Sequence, residues 1–277
     1  MDIEDDDLLA TLCLLRLLEE IDVSISGVDL RGHLIGAQAV IQASQDQSPS
    51  MQASSFRQAC LWAAFRQELY IGLKEHRPVR CEAPRNSSRA NIRDDWQLAL
   101  RAVSDCAEVV NCVFGNDKSP ETIGHLTNRL TTWQREIPVS FRPLGQVDRL
   151  NSPATEFVGV ALLAPCHVMA WQYNLVASAL LAAHARLPIL GPQRRHALQS
   201  IDEHIKSDIR KICGIAYCND YAPAGLVVAS MGISIFGDRF EIPSERRQLE
   251  GILMRTESEH GWPTKQTLSQ LRESWNV

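Results

Sequence analysis

Three side chains able to do polar chemistry recur at helical spacing inside the most apolar stretch of the chain: His167, Trp171 and Asn174. Buried polar groups must find partners, so one expectation is a satisfied core histidine packed beside an aromatic ring. The functional expectation is a ligand-binding set, because a histidine with aromatic walls inside a large helical domain can line a small-molecule pocket. For catalysis the candidates are His167, Asp238 and Arg239. The pair Asp238-Arg239 after Gly237 also reads as an ion pair closing a helix end, where a glycine cap is typical. His204 and Asp208 stand four residues apart, a spacing that suits two metal ligands on one helical face; a hydrogen bond on the helix surface is the expectation adopted. Arg66, Glu68 and Tyr70 lie on one helix but do not share a face, and they read as ion-pair and capping residues. Phosphate-binding loops, Gly-x-Gly-x-x-Gly, His-Glu-x-x-His and Gly-x-Ser-x-Gly are absent from the sequence. No metal and no cofactor is expected.

Eight cysteines stand at 13, 60, 81, 106, 112, 166, 213 and 218, and none forms a Cys-x-x-Cys pair. Zinc sites and redox motifs need closer, ordered spacing. A disulfide framework is not expected in a chain of this length read as having no signal peptide. The expectation is buried, reduced thiols acting as small hydrophobes in an intracellular protein.

The elements that must position these groups are almost all helical. The chain has 277 residues and is 45% hydrophobic, enough to bury a sizeable core. Apolar residues recur at spacings of three and four at Trp96, Leu100, Val103, Ala107, Val110 and Phe114. The same holds for Ile123, Leu126, Leu130, Trp133 and Ile137, for Trp62, Phe65, Leu69 and Leu73, and for Leu198, Ile201, Ile205, Ile209 and Ile212. Ser119-Pro120-Glu121 reads as an N-cap, a first-turn proline and a first-turn acid; Gly191-Pro192, Pro243-Ser244-Glu245 and Pro263-Thr264 punctuate further helix starts. Helices are predicted near 6–21, 31–45, 54–76, 91–114, 120–136, 155–185, 192–218, 223–236, 244–260 and 264–275, with long loops at 77–90 and 138–154. The segment from Phe157 to Ala185 is apolar enough to raise the question of a membrane span. Pro165, His167, Gln172 and Asn174 interrupt its middle, which suits a central helix of a bundle kinked at the proline. The fold expected is all-α: a single large helical domain over 1–277, built of stacked antiparallel helix hairpins as a solenoid-like bundle behind an acidic tail at 1–6.

The net charge is −5 with scattered Arg and Lys, so no direct contact with nucleic acid and none with membrane is expected. The last seventy residues carry a distinctive order of short motifs. Ile212-Cys213-Gly214-Ile215-Ala216 leads to Pro223, then to Gly237-Asp238-Arg239-Phe240, to His260-Gly261-Trp262-Pro263-Thr264 and to a final Leu271/Trp275 pair. This resembles the C-terminal end of the fungal-specific regulatory domain of zinc-cluster transcription factors. Leu8-Leu9-Ala10 through Glu19-Glu20 and His33-Leu34-Ile35-Gly36-Ala37 are similar to a helix pair midway through that domain. Trp62 with Arg66-Gln67-Glu68-Leu69-Tyr70 is similar to its aromatic-basic helix, and His167 to Leu180 to the long buried helix that follows. Members usually begin with a six-cysteine zinc cluster, a linker and a coiled coil. Those parts, and the first helices of the regulatory domain, are missing from this sequence.

The resemblance implies a transcription-factor-like regulatory protein, nuclear or cytoplasmic, without its own DNA-binding module. Such a chain would act through protein partners, either a full-length regulator or transcription machinery, or through a small-molecule effector, with a homodimer as a further expectation. The alternative is a cofactor-independent enzyme of secondary metabolism, of cyclase or isomerase type, that reuses the helical scaffold to shape a pocket around a reactive intermediate. A third reading is an inactive fragment.

Overall fold

Two of the helices begin at a side-chain cap, and three others begin at a first-turn proline with no side-chain cap. The Ser119 hydroxyl accepts from the Thr122 N–H at 3.1 Å, with Pro120 in the first turn, and Asp94 accepts from the Trp96 N–H at 3.0 Å. The computed structural model describes residues 6–26, 36, 39, 55–84, 94–116, 118–147, 157–185, 187 and 190–275. Among them run α1 (Asp6–Ser26), α2 (Ser55–Lys74), α3 (Asp95–Phe114), α4 (Pro120–Glu136), α5 (Pro165–Ala183), α6 (Pro192–Cys218), α7 (Ala224–Phe236), α8 (Pro243–His260) and α9 (Lys265–Trp275). Short 3-10 turns stand at Val139–Phe141 and Gly237–Arg239. The all-α class holds. The helix expected at 31–45 falls almost wholly outside the described residues, as does the acidic tail expected at 1–6 apart from Asp6, which opens α1.

One predicted helix is wrong at its start. Residues 155–185 do not form a continuous rod: β2 (Gly159–Ala161) pairs antiparallel with β1 (Gly145–Val147), Gln146 opposite Val160. Helix α5 begins only at Pro165, which occupies its first turn. The proline is therefore a helix start and not a kink, in keeping with its fixed φ and missing N–H.

Helix α5 is the axis of the molecule. It packs mainly against α3 and α6, and also against α4 and α7. Its buried residues run all round the helix, from Cys166 and Val168 through Tyr173, Leu175 and Val176 to Leu180 and Leu181, the pattern of a helix enclosed on every side. The largest hydrophobic cluster joins Trp62, Phe65, Leu69 and Leu73 of α2 to Val103 and Val110 of α3, Val176 and Leu180 of α5, and Ile205, Ile209 and Ile212 of α6. Each such side chain stabilises the fold by about 1.5–3 kcal/mol relative to exposure. Two stripes are shorter than their periodicity suggests: Trp96, in the first turn of α3, is 52% exposed, and Leu198, in the second turn of α6, is exposed too. No helix among the described residues is long and apolar enough to cross a membrane.

Helix α8 ends at Gly261, whose φ of 67° is left-handed and whose N–H bonds the Glu257 carbonyl at 2.9 Å. The Trp262 indole N–H then donates to the Tyr70 hydroxyl at 3.0 Å, tying this turn to α2. Thr264 holds the N-cap position of α9 through its carbonyl, which accepts from the Leu268 N–H. Its hydroxyl is used elsewhere, donating to the Leu253 carbonyl of α8 at 2.8 Å.

Candidate functional site

The start of α5 is placed by a polar clamp. Asn219, just after α6, is buried; it accepts from the Leu162 N–H at 2.9 Å and donates to the Val160 carbonyl at 2.8 Å and to the Ile215 carbonyl at 2.6 Å. The Tyr221 hydroxyl lies within hydrogen-bond distance of the Leu162 carbonyl and of Asn219 Oδ1. Where α6 passes β2, Gly214 allows contact: a Cβ there would sit 2.1 Å from the Val158 carbonyl oxygen. Ribbon, clamp and glycine together fix the entry into Pro165 and the turn that carries His167.

His167 is 1% exposed, and its Nε2 lies 2.8 Å from Asp95 Oδ2 in the first turn of α3. A carboxylate is favourable at that helix start. Ser140 donates to the other Asp95 oxygen at 3.0 Å. The Phe141 ring covers the imidazole at 4.2 Å between centroids, and the Phe141 carbonyl accepts from Trp171 Nε1 at 2.8 Å. His167 Nδ1 is buried with no partner among the described residues. The arrangement fits the tautomer that donates from Nε2 and leaves a lone pair at Nδ1, the less costly group to bury alone. His167 and Trp171 thus share one neighbourhood at the 3-10 turn. Chemically the group is a clasp between the starts of α3 and α5, and its free nitrogen has no surface for a substrate atom.

Asn174, one turn along α5, accepts from Gln134 of α4 at 2.7 Å. Gln172 donates to the Ile212 and Gly225 carbonyls at 3.1 and 3.0 Å, pinning α5 to α6 and α7. Trp133 of α4 meets Trp171 edge-to-face at 5.5 Å and Phe141 at 6.0 Å. Its other side lines a surface groove of about 320 Å³ between α3 and α4, with Leu98, Arg101, His125, Arg129 and Ile137. An aromatic chain therefore runs from the groove to the candidate set.

His204 and Asp208 share a face as read, Nε2 to Oδ2 at 3.3 Å, but not as the expected surface hydrogen bond: Asp208 is buried and that oxygen makes no hydrogen bond among the described residues. Sequence reasoning missed their third member: Ser178 Oγ of α5 lies 2.9 Å from the same His204 Nε2. Serine, histidine and aspartate therefore converge, but on one ring nitrogen. A proton relay needs the hydroxyl on one nitrogen and the carboxylate on the other, so this cluster joins α5 to α6 and does not activate a nucleophile. Burial holds the Asp208 carboxyl above the usual carboxylate range, opposed by the Ser178 hydrogen bond and the His204 and Lys211 charges.

Asp238 and Arg239 do not form the expected pair. Asp238 is exposed, while Arg239 donates to Asp202 of α6 at 3.0 Å and lies over the Phe236 ring. None of these neighbours belongs to the His167 clasp. Gly237 is right-handed at φ −65°, so it is no left-handed cap; its lack of a side chain admits Leu271, 3.1 Å from where a Cβ would stand. Glu68 accepts from Arg77 at 2.6 Å and from the Arg80 N–H at 2.8 Å, the ion-pair role read for it. Arg66 instead reaches the Met169 sulfur at 3.6 Å. Asp95, Ser140 and Phe141 lie 26 or more residues from the groups they serve, and no local pattern announces them. The groups of three or more ligating side chains that could hold a metal number none among the described residues.

No protein-family model, curated protein or solved structure matches the chain.

Proposed function

We propose that the chain is a regulatory protein of the transcription-factor type, without a DNA-reading module, that works by docking a protein partner on α1. The observation that supports this is the way α1 is turned. Leu9, Cys13, Arg16 and Glu20 face inward, with Arg16 donating to Glu20 at 3.1 Å, whereas Leu14 and Leu18 are 63% and 59% exposed beside Leu17. Asp7 and Thr11 continue the outward stripe. A helix that hides its ion pair and displays its leucines offers an apolar seam beside an acid, suited to a partner helix with apolar anchors and basic flanks. The occupant that fits the motif resemblance is the helical regulatory domain of a full-length zinc-cluster regulator. This reading places the protein in the nucleus, or in the cytoplasm where its partner is held there.

A small-molecule effector would act through the α3–α4 groove, because Trp133 connects that groove to Trp171 and the His167 clasp. The enzyme alternative gains no support from His167 with Asp238, which occupy separate neighbourhoods. Calorimetric titration of the purified chain with such a regulatory domain tests the proposal. Changing Leu14→Glu together with Leu18→Glu should weaken binding at least about tenfold, roughly 1.4 kcal/mol, with the helical circular dichroism unchanged. Equal binding by the double variant, or turnover of a pathway intermediate by the wild type, would overturn it. A leucine-dependent homodimer seen by sedimentation would replace the proposed partner with a second copy.

A further inference from the structure

The crossing of α1 and α2 carries a second feature that involves no partner. Cys13 Sγ donates to the Cys60 carbonyl at 3.4 Å, so the sulfur of one cysteine touches the backbone of the other. Gln67 donates to the Cys13 carbonyl at 3.1 Å and Arg57 to Asp6 at 3.1 Å, which fixes the register of the two helices. Around the contact lie Leu9, Leu61, Ala63 and Ala64, a small cluster separate from the main core. Both cysteines are free thiols, Cys13 buried and Cys60 half-buried, and Cys81 packs against the same cluster.

We propose that Cys13 and Cys60 form a reversible disulfide that staples α1 to α2 when the protein meets an oxidised low-molecular-weight disulfide such as oxidised glutathione. A disulfide needs Cα atoms about 4.4–6.8 Å apart. A thiol touching its partner's own carbonyl puts both residues at the crossing, and closure requires rotation about the Cα–Cβ bonds to bring the sulfurs together. Cys60, the more accessible, attacks first: its thiolate bonds one glutathione sulfur and expels the other as a thiolate. Cys13 then gives up its proton to solvent base and attacks Cys60 Sγ, expelling the second glutathione thiolate. Two protein thiols are oxidised and one small disulfide is reduced to two thiols. Burial pushes the Cys60 thiol up and Cys13 to about 11, so closure is slow and accelerates as pH rises. The staple stands apart from the docking reading, and where both hold it immobilises the helix that displays the leucine seam.

The test is oxidation of the folded full chain in glutathione buffers of stepped redox ratio, followed by non-reducing peptide mapping. The expected product is a Cys13–Cys60 link with the loss of two hydrogens, reversed by dithiothreitol and formed faster at higher pH. Oxidised wild type should melt above reduced wild type. Cys60→Ser should keep its circular dichroism, form no link and lose that difference in melting. The proposal fails if a stable glutathione adduct stays on Cys60, if the link goes to Cys81, if oxidation occurs only after unfolding, or if the link forms without raising the melting temperature.

Discussion

Gly214→Ala should reverse the usual preference of a helix interior. Alanine is favoured over glycine there by about 1 kcal/mol, and α6 would gain that much if the site were open. It is not open: the added Cβ would meet the Val158 carbonyl oxygen at 2.1 Å and its carbon at 3.1 Å, where ordinary contact begins at 3.4 Å. Both obstructing atoms are backbone, so no side chain can swing aside. The helix and the ribbon must separate by roughly 1 Å, which strains the Asn219 bonds to Val160 and Leu162. Overpacking of this kind costs about 1–3 kcal/mol and occasionally more; with rigid atoms on both sides the cost is set at the upper end, about 3 kcal/mol, which leaves a net loss of about 2 kcal/mol after the helix gain. For a chain of this size that lowers the melting temperature by about 4–8 °C. Gly124→Ala supplies the comparison, because Gly124 is an exposed residue of α4 with nothing within 4 Å of its would-be Cβ. That variant should melt about 1–3 °C higher than wild type. Both proteins are read by circular dichroism at 222 nm, the usual helical band, with the order Gly124→Ala above wild type above Gly214→Ala. If Gly214→Ala melts at or above Gly124→Ala, α6 does not lie against the ribbon.

Asn219→Ala should lower stability by about 2–4 kcal/mol, because the Leu162 N–H and the Val160 and Ile215 carbonyls lose their partner inside the protein; a urea midpoint unchanged from wild type would show the clamp to be dispensable. Asp208→Asn should separate from wild type as pH rises. From the usual carboxylate range near pH ~4 up to the raised value of Asp208, the folded protein binds more protons than the unfolded one, so this group makes wild-type stability fall with increasing pH. The variant lacks that loss, and its melting temperature relative to wild type should climb through the window; a flat or falling difference would contradict the burial argument.

Much of the fold was legible because helix starts are local chemistry. Ser119-Pro120 and Gly191-Pro192 lie at the boundaries they announce, and Gly261 ends α8 in the left-handed conformation that favours glycine. The stripe from Trp62 to Leu73 is buried throughout because each of its members joins the main core cluster, Leu73 included although it is the next-to-last residue of α2. Trp96 and Leu198 stand exposed because they precede the buried part of their helices, which begins at Ala99 in α3 and at Ile205 in α6. Strand β2 was hidden because Gly159-Val160-Ala161 sits in an apolar run without alternation, and three residues are too few to display a period. The candidate site was half legible. Apolar context singled out His167, Trp171 and Asn174, but the groups that fix them, Asp95, Phe141 and Gln134, are set by tertiary packing. The convergence of Ser178 on His204 is likewise a meeting of two helices that neither helix encodes alone.

The hydrogen bond from Trp262 to Tyr70 spans 192 positions of chain. During synthesis at about 5–20 residues per second, Tyr70 is added to the chain roughly 10–40 s before its partner. Until then α2 can gather only its nearer neighbours, and its far flank waits on the last turn to be translated. A nascent chain stalled before Trp262 would carry that flank uncovered, the species for which chaperones compete.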